Sequence, residues 1–95
     1  MTENIDTLIS AAEQAYQQAL VTYQSASIDQ KIATKPKLDQ AAELIVTLRT
    51  KQLQGAITVS DQDVDAMQDL RTKVNDAATL QTALSSMVAL ILKFV

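Results

Sequence analysis

The residues best placed to bind a metal ion are three aspartates at alternating positions, Asp61, Asp63 and Asp65. Alternating oxygen ligands of this kind open the calcium-binding loop of an EF-hand. That loop also requires a glycine at its sixth position and a glutamate at its twelfth, where this chain has Ala66 and Thr72. We therefore interpret the aspartates as the acidic first turn of a helix, which the helix dipole favours, and we expect no bound metal.

A pair of carboxylates could act as general acid and general base, and Glu13 and Glu43 are the candidates that lie within predicted helices. Nothing in the sequence brings these two residues together. The chain contains no histidine and no cysteine, which excludes imidazole bases, thiolate nucleophiles and the usual zinc and haem ligands. One glycine and one proline also leave no loop suited to cradling a phosphate. We predict a protein that is not an enzyme and that needs no cofactor.

Length, composition and charge bound the class of protein. The chain has 95 residues and a mass of 10.3 kDa, so we expect one domain over residues 1–95. Its 47% of hydrophobic residues suffice for a core, and its net charge of −3 disfavours binding to nucleic acid. Residues 1–6 are acidic rather than basic, which argues against a secretory signal. We expect a cytoplasmic protein, with export by another route left open.

The first predicted helix covers roughly residues 4–26. Its apolar residues alternate at spacings of four and three, which places them on one stripe: Ile5, Ile9, Ala12, Tyr16, Ala19, Tyr23 and Ala26. We interpret the two tyrosines as large side chains that pack between alanines in a core. A contact between these tyrosines and another protein is the alternative.

The second predicted helix covers roughly residues 36–54, between Pro36, which suits a first helical turn, and Gly55, which suits a left-handed C-terminal cap. Residues 25–35 are expected to form a connector, although Ser27 and Gln30 have the spacing of a capping box and could start a short helical turn. Residues 56–59 are expected to form an extended loop. The predicted apolar face of the second helix consists of Leu38, Ala41, Ala42, Ile45, Leu48 and Leu53.

The third predicted helix is long, roughly residues 61–94, and begins after Ser60 as N-cap. A heptad pattern supports it, with Met67, Val74, Gln81, Val88 and Val95 at one core position and Leu70, Ala77, Leu84 and Ile91 at the other. These elements predict an all-α fold, a small antiparallel three-helix bundle with a long C-terminal helix. Asn75 and Asp76 are poor helix formers, so the alternative is a four-helix bundle with a break near residues 75–79.

Gln81 interrupts the apolar heptad positions of the third helix. A buried glutamine without a partner is costly, so it could fix the register or number of chains in an oligomer. The other interpretation is that the helix rotates or kinks there and lets Gln81 reach water.

The C-terminal run 87–95 is almost wholly hydrophobic and covers every face of a helix, with Lys93 as its one charge. It is too short to cross a bilayer, which takes ~20 apolar residues. In a three-helix bundle the long third helix would project beyond its neighbours, and a second copy would cover the projecting end. The predicted interaction surface consists of Gln81, Leu84, Met87, Val88, Leu90, Ile91, Leu92 and Phe94, with Tyr16 and Tyr23 as a possible secondary contact.

We therefore predict a non-enzymatic helical-bundle interaction protein that self-associates, as a dimer by preference, and serves as a structural, scaffolding or adaptor module. A regulatory or inhibitory module that docks a larger protein through the same apolar helix is the first alternative. A small secreted or virion-associated helical structural protein is the second. None of these functions requires nucleic acid, a metal ion or a transmembrane segment.

Overall fold

The computed structural model describes residues 4–55 and 57–95, and within them the chain forms α-helices and no strand. The all-α class predicted from the sequence is confirmed. The structure counts four helices where we favoured three. They are α1 (Asn4–Gln24), α2 (Ile28–Gln54), α3 (Asp61–Lys73) and α4 (Ala77–Leu92).

Contacts near the helix ends show that α2 runs antiparallel to α1 and that α4 runs antiparallel to α3. Near the end of α2, Gln52 donates a hydrogen bond to Asp6 in the first turn of α1. At the end of α4, the Lys93 ammonium lies 2.8 Å from the carboxylate of Asp63 in the first turn of α3. The N-termini of α1 and α3 and the C-termini of α2 and α4 therefore meet at one end of the molecule.

The two helices of each direction lie beside each other in the bundle. Asn4 at the start of α1 donates to the Asp61 carboxylate at the start of α3 (2.8 Å), and Arg71 further along α3 donates to Gln14, so α1 and α3 are parallel. The packing is closest between α1 and α3 and between α2 and α4. Helices α2 and α3 lie on a diagonal of the bundle.

The core combines small side chains of α1 with large side chains from all four helices. Small residues let the helix axes approach, and large ones fill the space between them. The alanines of α1 that are buried are Ala11, Ala12, Ala15 and Ala19. The largest fully buried side chains are Leu8, Leu48, Met67, Val74, Leu80, Leu84, Met87 and Ile91.

Helix α2 begins eight residues earlier than the sequence predicted. The Ser27 hydroxyl accepts from the backbone N–H of Gln30, and the Gln30 side chain accepts from the backbone N–H of Ser27, so the capping box is formed. The helix then continues through Pro36. A proline there removes one hydrogen bond to the preceding turn. The buried side chains of Thr34 and Leu38 on either side of Pro36 hold that segment against the bundle.

The predicted long third helix is divided in the structure, at the break that we had left open. Helix α3 ends at the C-cap Val74, and Asp76 caps α4 by accepting from the backbone N–H of Ala78 at 2.9 Å. The chain reverses at residues 74–76 without glycine or proline. A short polar side chain that binds a free helix N–H is enough to start the next helix.

The other predicted ends are close to the observed ones. Gly55 adopts the left-handed conformation with φ of 70° at the end of α2, as expected. Ser60 caps α3 through a capping box with Asp63. Residues 57–59 form the expected loop, while residue 56 lies outside the described residues.

Differences in helix length leave part of the molecule with only two helices. At 1.5 Å per residue, α2 is ~40 Å long and α3 is ~20 Å long, and the longest dimension of the molecule is 41 Å. The turn between α3 and α4 lies beside Gln18 of α1, where Asn75 and Gln18 line one small hollow. Beyond that level the hairpin of α1 and α2 extends alone. We call residues 21–32 the hairpin tip.

Candidate interaction surfaces

The C-terminal run lies mostly inside the chain's own core. Four residues of the predicted interaction surface are buried, namely Leu84, Met87, Val88 and Ile91. Leu90 and Phe94 are half-buried against the core, whereas Gln81 and Leu92 are exposed. The projecting helix end that led us to propose this surface is absent, because the chain turns at residues 74–76 and α4 packs back along α2. The apolar run therefore supplies one layer of the bundle.

Gln81 is exposed to water, as the second of its two interpretations proposed. The turn at residues 74–76 separates Gln81 from the preceding heptads, and of the expected heptad positions in α4 Leu84, Val88 and Ile91 are buried while Gln81 is not. Leu80 and Ala83 are buried on either side of Gln81. Gln81 is thus free of the desolvation cost that a core position would impose.

An ion pair fixes the end of α4. Lys93 donates to Asp63, whose side chain is largely buried and also accepts from Ser60. The hydrogen bond from Lys93 lowers the pKa of the Asp63 carboxyl below its ordinary value, and the bonds from Ser60 act in the same direction. Asp63 is therefore committed to holding α3 and α4 together, which leaves its oxygens with partners other than a metal ion.

The remaining residues proposed for chemistry do not come together. No group of three or more metal-ligating side chains occurs within the part of the chain that the structure describes. Glu13 pairs with Arg49 across the groove between α1 and α2, while Glu43 is exposed on α2. The two glutamates thus have separate surroundings.

Tyr16 and Tyr23 are half-buried and pack against the core. They are thus neither fully enclosed core residues nor fully exposed contacts for another protein. The Lys31 ammonium lies 5.9 Å from the centre of the Tyr23 ring, within the range of a cation–π contact. Tyr23 thus links the end of α1 to the start of α2.

The apolar side chains with the highest exposed fractions lie on the outer side of α2. Ile28, Ile32, Val46 and Leu53 are between 65% and 88% exposed. With Lys35 and Asp39 they recur at the spacings of one helix face, with Glu43 and Arg49 in the seven-residue gaps on either side of Val46. We call Ile28, Ile32, Lys35, Asp39, Val46 and Leu53 the outer stripe of α2.

The outer stripe was missed at the sequence level for two reasons. Ile28 and Ile32 fell in the presumed connector, and Leu53 was assigned to the buried face of the second helix. The signal was nevertheless present, because a continuous helix from the Ser27 capping box to Gly55 carries apolar residues on two separate faces. A helix with apolar residues on both faces has one more face than its own bundle can cover.

The charges in the outer stripe form a local pair. The Lys35 ammonium lies 3.0 Å from the Asp39 carboxylate, one turn along the helix, and both side chains are exposed. The hydrogen bond from Lys35 to Asp39, together with their charge interaction, raises the pKa of the Lys35 ammonium. The middle of the stripe is therefore polar but nearly neutral, while its two ends are apolar.

A shallow groove runs where α1 meets α2, and it touches the stripe at Leu53. One part of the groove has a volume of about 320 Å³ and is lined by Ile9, Glu13, Arg49 and Leu53 among others. These hollows are open to solvent and mix polar with apolar side chains. Such a shape suits the edge of a protein interface better than an enclosed substrate pocket.

The fold and the exposed stripe define an all-helical bundle protein whose candidate site is a surface for binding. No family model matches the chain, and no curated protein and no solved structure matches it significantly. None of the helices in the described ranges 4–55 and 57–95 is long and apolar enough to cross a membrane.

Proposed function

We propose that the protein is a non-enzymatic interaction module, of the structural, scaffolding or adaptor type, and that it binds another protein chain through the outer stripe of α2. The observation that carries the proposal is the exposure of Ile28, Ile32, Val46 and Leu53 along one helix face. Single exposed apolar residues are common, but a row along a whole helix marks an interaction site more often.

The energetics support binding by this surface. Fully burying a side chain of valine, leucine or isoleucine contributes about 1.5–3 kcal/mol. The four apolar residues of the stripe therefore offer several kcal/mol, which is comparable to the cost of bringing two molecules together. The module should accordingly bind with modest affinity unless the partner covers more than the stripe.

The end of α4 is a smaller second candidate. Leu92 is 51% exposed and Val95 is 40% exposed, and the half-buried Phe94 lies between them in sequence. The other large apolar side chains of this helix are buried or half-buried within the bundle. We therefore place the main binding surface on α2 and give the end of the C-terminal helix a contributing role.

Photochemical cross-linking in the cells that make the protein tests this proposal. A photoreactive phenylalanine analogue replaces Val46 in the stripe, and a matched variant carries the same group at the exposed Gln62 of α3. We expect covalent protein adducts from position 46 that are absent from position 62. These adducts should disappear when Ile32→Ser and Leu53→Ser are added to the position 46 variant.

Equal labelling at the two positions, or no adduct at position 46, would contradict the proposal. The mass of the adduct carries further information, because a second copy adds 10.3 kDa and any other partner adds a different mass. A regulatory module that docks a larger protein would give only the second result.

A further inference from the structure

We infer that the partner of the outer stripe is a second copy of this chain, which packs face to face with its α2 antiparallel to the first α2. This inference rests on the proposed function, since it names the occupant of the same surface. It is carried by the self-complementary order of the residues along the stripe.

An antiparallel pairing centred between Gln40 and Ala41 matches the stripe to itself. Ile28 then lies opposite Leu53 of the second copy, Ile32 opposite Arg49, and Lys35 opposite Val46. Asp39 lies opposite Ala42 of the second copy. Ile28 and Leu53 thus meet at each end of the stripe, and the long stems of Arg49 and Lys35 cover Ile32 and Val46 while their charged groups remain near water.

A parallel pairing of the same faces is unfavourable. In register, it would set Lys35 against Lys35 and Asp39 against Asp39, and like charges that face each other destabilise an interface. The antiparallel arrangement avoids both contacts. It also places Lys35 three residue positions, about 4.5 Å along the helix axis, from Glu43 of the second copy.

The available area fits a dimer of ordinary size. The hairpin of α1 and α2 spans the 41 Å length of the molecule, and the molecule is 20 Å across in its second dimension. The outer face of that hairpin is about 800 Å² in projection, so a standard interface, which buries ~800 Å² of accessible surface per partner, would take in the exposed face of α1 as well as the stripe. The turn between α1 and α2 projects past the other helices, so nothing in the described chain obstructs a second hairpin laid along this face.

The absence of cysteine from the sequence permits a direct test of this geometry. The purified double variant Ile28→Cys/Leu53→Cys is treated with a short bis-maleimide, and the linked peptides are identified by mass spectrometry. We expect a product that stops at twice the chain mass and in which position 28 is linked to position 53 between chains. The double variant Gln62→Cys/Gln81→Cys, with both sites exposed on α3 and α4, controls for random collisions.

Each other outcome overturns the inference. Links of position 28 to position 28 would show a parallel dimer, and a ladder of higher multiples would show end-to-end association. Linking no greater than in the Gln62→Cys/Gln81→Cys control would show that the second copy is not the occupant. In that last case, adducts of a different mass at position 46 in cells would leave the proposed function standing, whereas the absence of all adducts would remove both.

Discussion

The C-terminal run 87–95 has the composition of an exposed binding surface but lies mostly inside the chain's own core, whereas the outer stripe of α2 is mixed in composition but exposed. The run is the most hydrophobic segment of the sequence, yet Met87 and Ile91 are fully buried within the chain itself. The stripe is interrupted by Lys35 and Asp39, yet it leaves Ile28 and Leu53 more than three-quarters exposed. The hydrophobicity of a segment thus indicates how much apolar surface has to be buried. The path of the chain decides whether that surface is buried inside the segment's own bundle.

The turn at residues 74–76 accounts for the difference between these regions. It returns α4 alongside α2, so the apolar run is enclosed by its own bundle. No comparable element of the described residues returns over the outer side of α2, because α3 and α4 both lie on its inner side. Variants in the two regions should therefore have opposite effects on folding and on binding.

The largest effect is expected for Ile91→Asp. Ile91 is fully buried, and an unpaired carboxylate there should lower the free energy of unfolding by about 4 kcal/mol or more. The matched variant Leu92→Asp adds the same charge at an exposed neighbour and should change stability by less than about 1 kcal/mol. Urea denaturation followed by circular dichroism compares them, and equal midpoints for the two variants would show that the run does not form the core.

Tyr23→Ala should have an intermediate effect, because this side chain is half-buried at the hairpin tip. We expect a loss of about 1–2 kcal/mol, less than the ~3–5 kcal/mol typical of truncating a buried aromatic residue. Tyr23→Phe keeps the ring and its contact with Lys31 and should unfold at nearly the parent's urea concentration. A loss as large as that of Ile91→Asp would mean that the hairpin tip is packed as tightly as the bundle.

Lys93→Met should have a small effect that depends on pH. The pKa of the Asp63 carboxyl is lowered in the folded protein by Lys93, so the pair stabilises the fold above the ordinary aspartate pKa of about 3.9. This stabilisation is lost as the pH falls through the lowered value. Because Lys93 is largely exposed, we expect about 0.5 kcal/mol at pH 7 and no difference from the parent near pH 2.

Asp63→Asn provides the reciprocal variant for that experiment. It removes the same charge interaction but also weakens the capping box with Ser60, so its cost at pH 7 should exceed that of Lys93→Met. Thermal unfolding across pH measures both variants. A difference between Lys93→Met and the parent that persisted unchanged at low pH would assign the effect to packing of the lysine stem.

The sequence predicted those helix ends whose signals are local. Gly55 and Ser60 act through their own backbone and their nearest neighbours, and both were placed correctly. The break at residues 74–76 was foreseen only as an alternative, since Asn75 and Asp76 disfavour a helix weakly. The decisive factor there is the burial gained when α4 folds back, which depends on residues distant in sequence.

The candidate site was harder to predict than the fold. Pro36 looked like a helix start, and that reading hid the preceding two turns of α2 together with Ile28 and Ile32. Conversely, the apolar faces of α4 could not be divided into inner and outer sides before its neighbours were known. Exposure is a property of the assembled helices, so it cannot be read from one segment.

The measurement that tests the central claim most directly is the urea midpoint as a function of protein concentration, for the parent and for the fourfold variant Ile28→Ser/Ile32→Ser/Val46→Ser/Leu53→Ser. If a second copy covers the stripe, the midpoint of the parent rises between about 1 μM and about 1 mM, because association stabilises the folded state. The variant should keep the midpoint of the dilute parent at every concentration. A parent midpoint that does not change with concentration, or a variant that is already destabilised at high dilution, would contradict the account.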